Sequence, residues 1–423
     1  MTAADTQSVH RAIDAIWRIE APRLVAGLVR LVRDVGLAED LAQDALLAAL
    51  ETWPKNGIPD KPGAWLMATA KRRAVDHWRH RKLVDRKHEE IEHEQADDEA
   101  AMPDFDRIAE GDVGDDLLRL MFIACHPVLS MEARIALTLR LLGGLTTEEI
   151  ARAFLVPEPT IAQRIVRAKR TLAEKRVTFE EPDANALAER LDSVLEVLYL
   201  IFNEGYSATA GDEWLRPALC EDALRLGRIL MELAPDESEV CALVALMELQ
   251  SARFGARTDA NGEPVLLQDQ NRALWNALLV RRGLTALDRA RQSAEAPGPF
   301  LLQAEIAACH MRAKSADATD WKRIVMLYDM LGRITPSPVV ELNRAVAVCM
   351  AFGPEAALKL VDALRDARTL DNYHLLPSVR GDFLFRLGRI DEARDEFERA
   401  AELARNARER ELLLARVRAC AAR

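Results

Sequence analysis

Apolar residues recur at helical spacing along most of this chain. In residues 146–172 they fall as Ile150, Ala151 and Phe154, then as Ile161, Ile165, Ala168 and Leu172, the 3.6-residue period of two amphipathic helices. Thr146, with Glu149 three residues on, reads as a capping box that starts the first helix. Pro157 and Pro159 break it and open the second, because proline is tolerated in a first helical turn. Nearer the N-terminus, Leu41, Ala45, Ala48, Ala49 and Trp53 line one side of a helix over 37–53. A Pro- and Gly-broken loop over 54–63 leads to a further helix over 64–82, with Met67, Ala70, Ala74 and Trp78 inward and Thr69, Arg72, Arg73, Asp76, Arg79 and Lys82 outward. Far downstream, Ala357-x3-Val361-x2-Leu364 and Ala393-x3-Phe397-x2-Ala400 repeat a small-large-small spacing, and Ala223 with Pro235 echoes it faintly. Such spacing reflects the close packing of stacked helical hairpins. The predicted class is all-α.

Length and composition agree. At 423 residues, with 49% hydrophobic and 5% aromatic side chains, the chain exceeds one small core and favours helix. No apolar run approaches the length of a membrane span, and the first residues lack a signal-peptide pattern. Cysteines 125, 220, 241, 309, 349 and 420 form no CxxC pair, the usage of buried free thiols in a reducing cytoplasm. A cytoplasmic protein without a membrane partner is expected.

The net charge of −11 argues against nucleic acid only if it is evenly spread, and it is not. Residues 1–82 carry a net +3 and residues 117–176 a net +5. Residues 83–116 between them carry −11, and residues 177–423 carry −8. Two basic modules are joined by an acidic strap and followed by a large acidic domain.

The basic modules carry the candidate chemistry. Thr160, Gln163, Arg164, Arg167 and Arg170 lie on the outer side of the helix after the proline turn. A second helix so equipped can enter a major groove and read base edges, although a solvated basic face would look the same. The 64–82 helix, beside its loop, suits phosphate neutralisation and capture of an unstacked base. His88-Glu89-Glu90-Ile91-Glu92-His93 mimics a zinc-protease signature but spaces its histidines five apart, about 140° around a helix, where four are required. No phosphate-binding glycine loop, nucleophile elbow or metal cluster is present in the sequence, so neither an enzyme nor a cofactor is expected.

Gly36 to Leu46 followed by Trp65 to Asp76 resembles region 2 of bacterial extracytoplasmic-function (ECF) sigma factors, and the helix-turn-helix with Pro157-Glu158-x-Thr160 resembles their region 4. The resemblance covers roughly residues 10–176. It implies region 2 over 1–82, an acidic linker over 83–116, region 4 over 117–177 and a C-terminal extension over 178–423. It implies core RNA polymerase as partner, with Asp40, Gln43 and Asp44 docking on the β′ clamp helices and region 4 meeting the β flap. Asn56 and Lys61 of the loop, with Arg72, Arg73, Asp76 and Arg79, would contact the −10 element. Thr160, Gln163, Arg164, Arg167 and Arg170 would read the −35 element. Arg73 stands where many relatives carry Asn, and Pro159 replaces the usual Gly. Promoter elements about 17 base pairs apart lie roughly 58 Å apart at about 3.4 Å per pair, and a disordered strap of 34 residues reaches roughly 110 Å.

The extension resembles the tetratricopeptide-like (TPR-like) tail of one subgroup of these sigma factors. Within it, polar residues sit among apolar and aromatic neighbours: Asn203 and Glu204; Asp269, Arg272 and Trp275; Asp320 and Trp321; Asn343 and Arg344. Either a buried hydrogen-bond network or a site for a ligand, peptide or protein partner would use them. The resulting expectation is a sigma factor with a built-in regulatory domain. The alternative is a free-standing helix-turn-helix activator with a TPR-type sensor, distinguished by whether promoter binding needs core polymerase.

Overall fold

The computed structural model describes residues 3–89, 113–175, 177, 184–208, 214–259, 262–368 and 370–421. Among them the fold is all-α, broken by one antiparallel bridge between Thr258 and Pro264. The chain divides into two compact units, Met1–Val197 and Leu198–Arg423.

In the first unit, α1 (Ala3–Val32), α2 (Val35–Asn56) and α3 (Pro62–Glu89) pack on one another. Leu24, Val25, Leu28 and Val29 of α1, Leu41, Ala45 and Trp53 of α2, and Leu66, Ala70 and Ala74 of α3 are all buried where these helices pack. Trp53 meets Trp65 edge to face at 5.3 Å between centroids. Asp34 caps α2 by accepting from the Leu37 amide at 2.8 Å, and Gly57, at φ +85°, ends it. The loop expected over 54–63 is therefore shorter, because α2 carries Pro54 to Asn56 as its last turn. Thr69, expected to face outward, is buried. The helix expected to end at 82 runs on to Glu89, so part of the strap is helical. The rest of the strap's expected path, and the His88–His93 side chains, lie outside the described residues.

The same unit continues with α4 (Val113–Ala124), α5 (Met131–Leu141), α6 (Thr147–Phe154) and α7 (Glu158–Glu174). Helix α4 lies on α1, with Arg30 Nε 3.3 Å from the buried Asp116 carboxylate. The unit ends within α8 (Ala184–Tyr206). Ser193 of α8 donates to the Cys125 carbonyl and accepts from Arg134 at 3.0 Å, so this part of α8 belongs structurally with α4 and α5.

The second unit stacks helices on their sequence neighbours: α9 (Pro217–Leu233), α10 (Ser238–Ser251), α11 (Ala277–Ser293), α12 (Pro299–Arg312), α13 (Trp321–Ile334), α14 (Pro338–Phe352), α15 (Pro354–Asp366), α16 (Leu375–Arg386), α17 (Ile390–Leu403) and α18 (Ala407–Ala421). Helix α10 is buried on every side from Val240 to Leu249, as its apolar circumference dictates. Its one carboxylate there, Glu248, is paired with Arg228 at 2.7 Å. The small-large-small residues lie in the core of α15 and α17: Ala357, Val361, Ala393, Phe397 and Ala400 are buried. A Cβ on Gly381 would stand 2.9 Å from the Phe397 ring, so only glycine admits α17 this close to α16. Arg380, itself buried, ties three helices by bonding Asp362 of α15 and Glu396 of α17, each at 2.8 Å.

Candidate nucleic-acid and polymerase interface

Helix α6, the first of the pair joined by the turn, is fixed at both ends. Thr146 accepts from the Glu149 amide at 3.1 Å, and the Glu149 carboxylate accepts from the Thr146 amide at 2.8 Å. Leu155 adopts the left-handed conformation, at φ +51°, where helix α6 stops. Pro157 then stands at the N-cap position of α7, without a side-chain cap, and Pro159 sits in its first turn. Ile161, Ile165, Ala168 and Leu172 are buried, which leaves Gln163, Arg167 and Arg170 exposed and Thr160 and Arg164 half-buried. Arg170 pairs with Glu174 one turn on, at 2.6 Å, and that hydrogen bond raises its pKa. Phe154 is half-buried.

On the front helices, Asp40 is exposed while Gln43 and Asp44 are half-buried. Asn56, Lys61, Arg72, Arg73, Asp76 and Arg79 are all exposed. Arg72 folds back on its own helix, its Nε 3.2 Å from the Ala68 carbonyl, and Arg79 lies 4.0 Å from Asp76. The two candidate DNA faces thus stand on separate helices, α3 with the segment preceding it and α7.

A contact between those helical groups was not foreseen from the sequence. Glu39 of α2 is buried where Arg140 of α5 bonds one carboxylate oxygen at 2.6 Å and Lys169 of α7 contacts the other. Gln43 adds a bond to the same carboxylate at 2.7 Å, and Arg140 also donates to the Leu145 carbonyl at 3.1 Å. Burial pushes the Glu39 carboxyl up, but Lys169 and Arg140 outweigh it and hold its pKa below the ordinary value. Beside this clasp is a cavity of about 370 Å³, whose walls include Gln43 and Leu47 of α2 and Arg140, Thr146 and Glu149. The only sequence signal was an acid among acids on α2 and a lysine at the edge of the buried stripe of α7.

In the second unit the sequence-predicted residues take separate positions. Glu204 pairs with Arg216. Asp320 caps α13 by accepting from the Arg323 amide at 3.0 Å, and Trp321 meets His310 edge to face at 5.2 Å. Arg272 donates to the Ala313 carbonyl at 2.9 Å and lies over the Trp275 ring at 4.6 Å. Arg344 bonds Glu341 at 2.9 Å and Asp329 at 3.3 Å. Asn203 is half-buried and Asp269 exposed. Asn343 lines a cavity of about 500 Å³ with Gln250, Arg253, Gln303 and His310, which had not been singled out. Among the described residues no cluster of His, Cys, Asp and Glu could hold a metal, and no helix is long and apolar enough to cross a membrane.

Comparison with known proteins agrees with this arrangement of two helical modules. Residues 16–84 match Sigma-70 region 2, and residues 119–172 match Sigma-70, region 4. Residues 190–291 match a family of unknown function, DUF6596. The ECF RNA polymerase sigma factor SigC of Mycobacterium tuberculosis (strain CDC 1551 / Oshkosh) is 31% identical over 155 residues, 37% of this chain and 76% of that protein. The probable ECF RNA polymerase sigma factor SigI of Mycobacterium tuberculosis (strain ATCC 25618 / H37Rv) is 28% identical over 204 residues, 45% and 68% of the two chains. An uncharacterized protein of Rhizobium meliloti (strain 1021) is 44% identical over 389 residues, 92% of this chain and 91% of its own. The chain belongs to the ECF RNA polymerase sigma factors, with a C-terminal extension beyond region 4. Core RNA polymerase and promoter DNA are the partners its sigma domains imply.

Proposed function

We propose that this sigma factor directs core RNA polymerase to its promoters from a closed resting form that must open to act. Asp40, Gln43 and Asp44 dock on the β′ clamp helices. Asn56, Lys61, Arg72, Arg73, Asp76 and Arg79 hold the −10 strand, through phosphate contacts and capture of an unstacked base. Thr160, Gln163, Arg164, Arg167 and Arg170 read the −35 element in the major groove, with region 4 on the β flap. The C-terminal unit is a TPR-like regulatory domain whose hairpins meet a peptide or protein partner.

The observation that carries the closed form is the clasp of Lys169 and Arg140 on Glu39. Elements about 17 base pairs apart are separated by roughly 58 Å, whereas here the −35 reading helix touches the helix that docks on polymerase. Region 4 cannot hold Glu39 and reach its element at once. Gln43 is engaged by the clasp through Glu39, so closure and polymerase docking compete for one face.

Transcription with purified core polymerase tests the reading. Full-length protein and a truncation ending after Tyr206, which keeps all of α8, are assayed on the chain's own upstream DNA. A defined transcript from core plus protein, absent with either alone, supports it. Tight promoter binding without core, and no transcript, refutes it in favour of a free-standing activator.

A further inference from the structure

The second unit buries positive charge without neutralising it. Arg253, at the end of α10, is only 9% exposed. Its partners are neutral: Nε donates to Gln270 at 3.1 Å and Nη1 to Gln250 at 3.0 Å. Its Nη2 donates to no acceptor among the described residues. Arg272 nearby spends itself on the backbone carbonyls of His310 and Ala313. Neither arginine forms an ion pair among the described residues. A buried cation is ordinarily matched by a carboxylate, because desolvation without a counter-charge is expensive.

Arg253 faces the cavity of about 500 Å³. Tyr199 and Gln303, bonded to each other at 2.9 Å, stand on its wall with Asn343 and His310. Burial, then Arg253 and Arg272, push the His310 pKa down to about 4, so the imidazole is neutral and adds no second charge. Leu246, Ile306, Leu331 and Val340 supply apolar wall. An apolar chamber with a few convergent polar groups is the form of a small-molecule site.

We infer that this cavity binds a small organic carboxylate, its anionic end on Arg253 and its body against the apolar wall. A guanidinium matches a carboxylate in charge and planar geometry. One lining cation among neutral donors suits a single negative charge better than the double charge of phosphate. The site was not legible as a motif, since Gln303 and His310 lie on α12 while Arg253 follows α10 and Asn343 stands on α14, far apart in the chain. It stands independently of promoter recognition, because binding is read without polymerase or DNA.

Titration calorimetry on the full-length protein tests it, with acetate, phenylacetate and indole-3-acetate as probes. Phenylacetamide is the uncharged counterpart, and inorganic phosphate is the competing anion. Saturable binding is expected for at least the larger carboxylates, tenfold or more tighter than phenylacetamide and than phosphate. Arg253→Met should weaken it at least tenfold, and Arg253→Lys less. Asn343→Asp, at an exposed wall position that leaves the core untouched, should also weaken it by placing a competing carboxylate there. No binding by any carboxylate, equal binding of phenylacetamide, tighter binding of phosphate, or unchanged affinity in a folded Asn343→Asp variant would overturn the proposal.

Discussion

Replacing Lys169 with methionine tests the clasp most directly. The substitution keeps most of the side-chain length but leaves the buried Glu39 carboxylate with one cation in place of two. Glu39 is 7% exposed and both cations about one-fifth exposed, so screening by water is slight. A hydrogen bond to a charged group contributes about 1.5–3 kcal/mol. We take about 2 kcal/mol, because Arg140 and Gln43 still hold the carboxylate. That loss shifts the open-to-closed ratio roughly thirtyfold. When the binding-competent form is the minor one, apparent affinity scales with its population. Lys169→Met should therefore bind core polymerase about thirtyfold more tightly, by fluorescence anisotropy of the labelled protein against purified core. Lys169→Arg, which keeps the charge, should stay near the parent. A Kd for Lys169→Met within twofold of the parent would refute the competition between closure and docking.

Three further outcomes can be checked. Arg167→Ala should make the fall of log promoter affinity of the holoenzyme with log salt shallower by about one, as loss of one cation from the DNA face requires; an unchanged slope would remove Arg167 from that face. Gly381→Ala should destabilise the second unit by about 1–3 kcal/mol, because the new methyl meets the buried Phe397 ring; thermal unfolding should show a loss that Phe397→Leu partly recovers. His310 is held neutral down to about pH 4 against an ordinary 6.5, so below 6.5 the unfolded chain takes up a proton that the folded chain refuses. Stability should accordingly fall as pH drops from 6.5, by about 2 kcal/mol at pH 5, and melting curves of His310→Gln should show a smaller fall; parallel curves would contradict the assignment.

Local chemistry was the legible part of this chain. Thr146 and Glu149 cap each other within one turn, and the stripe Ile161, Ile165, Ala168 and Leu172 is set by helical period alone, so both were readable from spacing. Thr69 misled because a threonine one turn before Arg72 and Arg73 reads as part of their outward face, yet its hydroxyl is near the Arg72 guanidinium and the residue is buried. The clasp joins residues separated by about a hundred positions, and no periodicity reports a partner so distant. In the tail, the polar residues set among apolar neighbours take unlike positions, from the paired Glu204 to the exposed Asp269. Sequence pattern could not separate a helix cap such as Asp320 from a cavity residue such as Asn343, since both are polar residues beside core positions.

The six cysteines have a practical use. All are buried and none is in a disulfide, and burial lifts the Cys125 and Cys220 thiols to about 12. Only the thiolate reacts with alkylating reagents, so at neutral pH a closed helix shields its thiol both sterically and chemically. Each cysteine thus acts as a clock for opening of its own surroundings, whose rate of capture reports how often they breathe. Cys125 times region 4, and Cys220, Cys241, Cys309, Cys349 and Cys420 time successive stretches of the second unit. Region 2, with no cysteine before Cys125, is silent. One alkylation time course, resolved by peptide mass, would map how loosely each tier of the native protein is held, without a label or a substitution.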